Sequence, residues 1–401
     1  MNRMIRLLAI AGAITLSLSA VAATSASENH DGDHSGDHSE HHHDGVVGHV
    51  YVNNNSAGVN SVSGFDRHTD GTLTPISGSP FAIGGAGTGA PTGSQGALQL
   101  SHDGRYLIAV DAASNEISVA RIRHDGSLRP VSGGPVPSAG AKPVSIAVHD
   151  RLVYVANAGP GGSNYTGFTL NGGGRLKPIA GSTFPLPDIA NPGDVLFSPN
   201  GKGLIGVRVG PDAGPSFIDS FKVGRDGRLT ASPGSPFASQ VTGPFGSVFS
   251  PTRKNQLFVT NAHGGPGTGS VSVFDVAHNG ALSPISGSPF ANGQTGTCWA
   301  EITRDGRYLF AVNTGSTTIS RYSVAADGTL ALLGNTPITN PGPGGLGAFD
   351  VRLSPDGKFL YGVDASGRIS AFSVSGGTLT ELPSSPVSLQ AGLAPFGIVV
   401  N

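Results

Sequence analysis

Apolar and polar positions along this chain switch in short bursts, and the clearest run is Ile302 to Leu330, ITRDGRYLFAVNTGSTTISRYSVAADGTL. A turn at Asp305-Gly306 precedes the apolar stretch Tyr308-Leu309-Phe310-Ala311-Val312, and Asn313-Thr314-Gly315 breaks the chain again. Ile319 to Val324 then alternates with period two, the mark of a strand with one buried face. Asp327-Gly328 closes the unit, because Asp and Gly tolerate the positive φ of a tight hairpin turn. No comparable stretch of helical period stands out beyond the N-terminal leader, so the pattern predicts an all-β protein.

The same turn recurs as Asp70-Gly71, Asp125-Gly126, Gly173-Gly174, Asp226-Gly227, Asn279-Gly280, Asp327-Gly328 and Gly376-Gly377, each followed two residues after its last glycine by a leucine. Successive spacings are 55, 48, 53, 53, 48 and 49 residues. Downstream comes a Gly-Ser-Pro-Phe signal, clearest at Gly78 to Phe81, Gly234 to Phe237 and Gly287 to Phe290. Seven copies of a four-strand unit at this period predict a seven-bladed β-propeller over residues 46–401. The ends are complementary. Ala394 to Val400 reads as an innermost strand with nothing after it, and Gly48 to Asn53 as a second strand with nothing before it. Joined, they complete one blade and close the ring.

Composition narrows the picture. Gly and Pro are abundant, 62 and 29 residues, but they fall at regular intervals between apolar runs, which is turn chemistry rather than disorder. Charged residues are 12% and the net charge is −2, so the basic footprint of a nucleic-acid binder is missing. Cys298 is the single cysteine, which excludes an internal disulfide, and its place beside Trp299 suits a buried structural thiol.

Residues 1–22 carry Arg3 and Arg6, an apolar run from Leu7 to Leu18 and an Ala20-Val21-Ala22 cleavage pattern, as in a secretory signal peptide. The run is short for a membrane span and no second one follows, so the expectation is an exported, soluble monomer, secreted or periplasmic. Within residues 23–45, the stretch SENHDGDHSGDHSEHHHDG holds six histidines (His30, His34, His38, His41, His42, His43) among six carboxylates. With nothing apolar to bury, the segment is expected to be disordered. Imidazole and carboxylate together suit Zn, Ni or Cu, so a metal-binding tail is expected, against the blander alternative of a solubilising acidic tail. The sequence shows no required cofactor.

SHDGRYLIAV (Ser101 to Val110), SPDGKFLYGV (Ser354 to Val363) and FAVNTGSTTIS (Phe310 to Ser320) resemble the seven-bladed lactonase family, which includes propeller-type 6-phosphogluconolactonases and carboxymuconate-cyclising enzymes. Phe258-Val259-Thr260-Asn261 is similar to the related YVTN-type surface propellers. The resemblance covers nearly all of residues 46–401 and rests on blade-building motifs. It implies opening of a lactone ring, with a His, an Arg and a Glu near the channel mouth. The comparable positions here, Gly296 to Trp299 and Gly243 to Gly246, contain no histidine.

Candidate chemistry lies on the innermost strands, which line the channel of a propeller. Aligned on the turn that follows, Asp194, Trp299 and Asp350 share one level, and Gln99, Glu301 and Arg352 share the level two residues on, the same strand face. Glu301 and Arg352 fall on adjacent blades, where they could form either a structural ion pair or a charged pocket for an anionic or lactone substrate. His263, in the loop after Asn261, is the histidine best placed for general-base work. A polar residue ends each second strand: Asn53, Asp111, Asn157, Arg208, Asn261, Asn313 and Asp364. Asn and Asp turn a chain readily, so Arg208 is the exception. The glycine-rich Gly84 to Gly89 reads as a loop, with no strand–helix context for a phosphate loop. The catalytic candidates are therefore Glu301 or His263 as base, Arg352 holding a carboxylate or oxyanion, and Asp350, Asp194 and Arg208 around them. Two functions stay open: a secreted lactonase acting on a small organic or sugar acid lactone, or a non-catalytic envelope propeller that binds a partner. Export argues against 6-phosphogluconolactone as substrate, since phosphorylated sugars are cytosolic.

Overall fold

Why each blade forms is visible in its second strand. Tyr106–Asp111, Gln256–Asn261 and Phe359–Asp364 are buried along their whole length, because sheets pack on both of their faces. The computed structural model describes residues 45–339, 341 and 347–401. Within them the chain forms seven antiparallel sheets, and the one helical element is a single 3-10 turn at Asp188–Ala190.

We number the blades 1 to 7 in chain order of their second strands. Their inner strands are, in that order, Ile398–Val400, Leu98–Leu100, Pro143–His149, Pro192–Phe197, Pro244–Phe249, Thr297–Ile302 and Ala348–Leu353. Each inner strand touches the next around the ring, and that of blade 7 touches that of blade 1. The ring is therefore closed. Blade 1 is completed as expected: Val50 lies opposite Val400, Tyr51 opposite Val399 and Val52 opposite Ile398. Backbone bonds from Asn53 N to Gly397 O (3.1 Å) and from Phe396 N to Asn53 O (3.1 Å) extend the pairing. Val50, Val52 and Ile398 pack with Tyr361, Val363 and Ile369, joining blade 1 to blade 7 through a buried apolar cluster.

The recurrent Asp-Gly turns hold blades together. Tyr51, Tyr154 and Tyr361, each on a second strand, donate their hydroxyls to the carbonyls of Gly126, Gly227 and Gly71, in the outer turn of the following blade (2.7, 2.6 and 2.9 Å). The last of these again crosses from blade 7 to blade 1.

Two expectations need correction. The unit is not four strands everywhere: in six sheets a further short strand, such as Phe237–Ala238 or Phe290–Ala291, pairs with the third strand after the Gly-Ser-Pro turn or its counterpart. In blade 6 that turn is replaced by Leu332-Leu333-Gly334, and one strand, Leu330–Pro337, continues through a bulge instead. The glycine-rich stretch from Gly84 is not simply a loop either, since Phe81–Gly87 is a strand paired with Gly58–His68. Gly85 has φ +61°, and a Cβ there would collide with the Asp111 carboxylate. Glycine lets the backbone approach a buried acid, not a phosphate.

Candidate active site in the channel

Most inner strands open with a bulge, placed between Pro192 and Asp194 in blade 4, Thr297 and Trp299 in blade 6, and Ala348 and Asp350 in blade 7. A bulge re-aims the side chains that follow, and here it does so in the same register each time. Asp194, Trp299 and Asp350 lie opposite Val207, Val312 and Val363, each one residue before the end of its second strand. Gln99, Glu301 and Arg352 lie opposite Ile108, Phe310 and Tyr361, two residues further along. The two levels expected from sequence are the two levels observed.

Arg352 is the hub. Its Nη1 donates to Asp350 Oδ1 (2.8 Å) and to the Val351 carbonyl (2.7 Å), and lies 3.7 Å from Glu301 Oε1. The Arg352 and Glu301 side chains keep 15% and 17% exposure on the innermost strands Ala348–Leu353 and Thr297–Ile302. Asp350 is fully buried and accepts from the Val351 and Ile398 amides (2.9 and 3.3 Å). Asp194 accepts from the Ser247 hydroxyl (2.5 Å) and amide (2.9 Å), with the Ser145 hydroxyl at 3.4 Å.

Three carboxylates around one guanidinium cannot all carry charge cheaply in so dry a setting. Burial pushes Glu301 up to about 7, with Arg352 pulling it back and Asp350 adding repulsion. Asp194 is also pushed up to about 7 by burial, against the Ser247 bonds and the pull of Arg352. Asp350 is raised by burial, partly offset by Arg352 and by backbone amides. Burial acts to lower Arg352, but Asp350, Glu301 and Asp194 outweigh it and hold the arginine more firmly charged than usual. The arrangement keeps one permanent cation beside an acid that exchanges its proton near neutrality. It can take a proton from water and stabilise a developing oxyanion.

The other sequence candidates lie elsewhere. Arg208 pairs through Nε and Nη2 with Asp219 (2.6 and 2.5 Å), and Tyr165 also donates to Asp219 (3.0 Å). Asp219 occupies the third-strand register held by Ser272 in blade 5 and Ser320 in blade 6, which bond Asn261 and Asn313. Arg208 thus does the strand-tying work of its asparagine counterparts and does not join the channel cluster. His263 sits on a loop with Nδ1 3.2 Å from Asp212, a highly exposed carboxylate, and not beside Glu301. His30, His34, His38, His41, His42 and His43 lie outside the described residues, as does the leader. Among the described residues no group of three or more His, Cys, Asp or Glu could hold a metal ion. Cys298 is buried as expected, and burial raises its thiol to about 12.

Sequence reasoning missed a set of bonds across the ring. The connection from blade 1 to blade 2 makes them: Ser94 Oγ donates to Val144 O (2.6 Å), and Gln95 N to Gly193 O (2.9 Å). Gln95 Nε2 donates to Ser247 O (2.7 Å), while its Oε1 accepts from Ala300 N (3.1 Å). Trp299 Nε1 donates to Ser94 O (2.7 Å). Two residues thereby bond four blades across the ring at the Asp194 level. Nothing in Gly93-Ser94-Gln95-Gly96 announces this, apart from a polar pair flanked by glycines that allow close approach.

Residues 218–395 match the family model described as Lactonase, 7-bladed beta-propeller. Similar solved structures include a candidate 6-phosphogluconolactonase of Bacteroides uniformis, 23% identical with a TM-score of 0.70 over 88% of this chain and 99% of that one. Another is the Pseudomonas aeruginosa periplasmic gluconolactonase, 17% identical with a TM-score of 0.69 over 88% and 98%. At such identities the likeness is one of fold. A comparison with curated protein sequences gave no match. The architecture of this chain is that of a seven-bladed β-propeller, and its residues 218–395 are similar to the lactonase family of that fold.

Proposed function

We propose that this protein is an exported lactonase that hydrolyses the lactone of a small organic or sugar acid at the Glu301–Arg352 level of the inner strands. The observation that carries the reading is the Arg352–Glu301 pair, part-exposed on innermost strands and backed by Asp350 and Asp194. In the reaction, Glu301 takes a proton from water as the water oxygen attacks the lactone carbonyl. Arg352 stabilises the resulting oxyanion, and Asp350 holds the guanidinium in place. The ring C–O bond then breaks, the alkoxide recovers a proton from Glu301, and a hydroxy acid leaves. The family match and the gluconolactonase among the structural neighbours support the reaction class.

A panel of sugar-acid and aliphatic lactones, assayed on purified protein, tests it. Glu301→Gln and Arg352→Ala should each lower kcat by about 10²- to 10³-fold on any lactone turned over, while His263→Ala leaves it near wild type. Activity of the wild type should rise with pH through about 7. No turnover of any lactone, or full activity in both channel variants, overturns the reading and leaves the binding-propeller alternative.

A further inference from the structure

Away from the channel, Lys202, Lys222, Arg225 and Lys254 converge on a cleft of about 800 Å³ between blades 4 and 5, with His278 beside them. Three of the six lysines in the sequence line it. Its lining contains no carboxylate, and among the described residues none of the four cations forms an ion pair. The nearby Asp226 lies 3.7 Å from Arg228 instead. Val223, Val276 and Ala277 supply accessible apolar lining.

Comparison with the sister blades shows how the charge imbalance arises. In blades 2 and 6 the turn after the inner strand carries Asp-Gly-Arg, and the aspartate pairs with the arginine two residues on: Asp103 with Arg105 and Asp305 with Arg307, both at 2.6 Å. The aspartate also shapes the turn, accepting from the Ser101 hydroxyl (2.7 Å) and the Arg105 amide (3.1 Å). Blade 4 reads Ser198-Pro199-Asn200-Gly201-Lys202. Asn200 accepts the same two bonds, from the Ser198 hydroxyl (2.8 Å) and the Lys202 amide (2.9 Å). The turn is kept and the neutralising charge is dropped. Asn279, next to His278, does likewise in the outer turn of blade 5, accepting from the Ala281 amide (3.1 Å) as Asp125 and Asp327 do in theirs. Lysines left unneutralised around a concave surface focus a positive potential into it, and the volume is that of a small-molecule site.

We propose that this interblade cleft binds a small organic polyanion, its oxyanions met by Lys202, Lys222, Arg225 and Lys254 and its body resting on Val223, Val276 and Ala277. Carboxylates and phosphate esters share this chemistry. The site is independent of the channel and of the hydrolysis proposed there.

Calorimetry on the whole protein at low salt, with citrate, glucose 6-phosphate and inorganic phosphate as probes, tests the idea. One-site binding is expected for at least one probe. A preference for citrate assigns a polycarboxylate, and a preference for glucose 6-phosphate a phosphate ester. Lys202→Ala combined with Lys222→Ala should weaken binding at least tenfold. Asn200→Asp, which restores the residue used by the sister blades and should fold normally, should weaken it several-fold by capturing Lys202. Lys177→Ala, outside the cleft, should change nothing. Absence of binding by all three probes overturns the proposal. So does equal weakening by Lys177→Ala, or binding that survives the cleft variants and is lost in Arg352→Ala.

Discussion

Glu301 and Asp194 hold their protons to about pH 7, whereas their ordinary values are 4.5 and 3.8. Between about pH 4 and 7 the folded state therefore binds more protons than the unfolded chain, and stability falls as pH rises through that window. Their contribution is full below about pH 4 and lost above about 7. The depressed carboxylates Asp103 and Asp305, at about 2, act only below this range. Glutamine mimics the protonated acid, so Glu301→Gln should flatten the profile. Urea unfolding at pH 4.5 and 8 should show the wild type losing about 1–3 kcal/mol more than the variant. A steeper loss in Glu301→Gln would contradict the assignment. The Arg208–Asp219 pair gives a second residue-scale test. Arg208→Ala leaves a buried carboxylate unpaired and should cost about 3–5 kcal/mol. Arg208→Asn with Asp219→Ser recreates the pairing of blades 5 and 6 and should recover most of that in thermal unfolding.

At the scale of elements, the inner strand of blade 1 comes from the far end of the chain. Phe396 and Ile398 are fully buried, and each contributes roughly 1.5–3 kcal/mol through apolar burial. Deleting residues 395–401 should lower the melting temperature by several degrees or prevent folding, and an unchanged transition would refute closure by this strand. The tyrosine latches are smaller devices. Tyr361→Phe removes one buried bond to Gly71 across the blade 7–blade 1 seam and should cost about 1 kcal/mol. Sequence reading placed the outer turns and their leucines correctly, since turn chemistry is local. It did not anticipate that those turns are docking sites for the preceding blade, because that contact depends on radial stacking.

For the whole molecule, the segment before the propeller supports a separate proposal. Glu28 to Asp44 combines histidines with carboxylates and lies outside the described residues, so its metal affinity rests on composition alone. Calorimetry with Zn²⁺ or Ni²⁺ should show binding that disappears on removing residues 23–45 and weakens as imidazoles protonate near pH 6. Equal binding by the truncated protein would move the metal into the propeller.

The sequence by itself determined the number of blades, the closing strand and the two levels of the inner ring. Each follows from periodic local signals: a turn every 48 to 55 residues, and side chains that alternate along a strand. It also pointed to the Glu301–Arg352 pair, because adjacent repeats in register must bring equivalent positions together. Only the tertiary structure decided that Arg208 is a strand tie, that His263 stands apart, and that Ser94 and Gln95 bond four blades across the ring. It alone showed that Asn200 leaves Lys202 unneutralised in a cleft between blades. Those outcomes depend on which side chains meet across blades distant in sequence and on how much water remains between them, and neither is written in the local pattern of any one repeat.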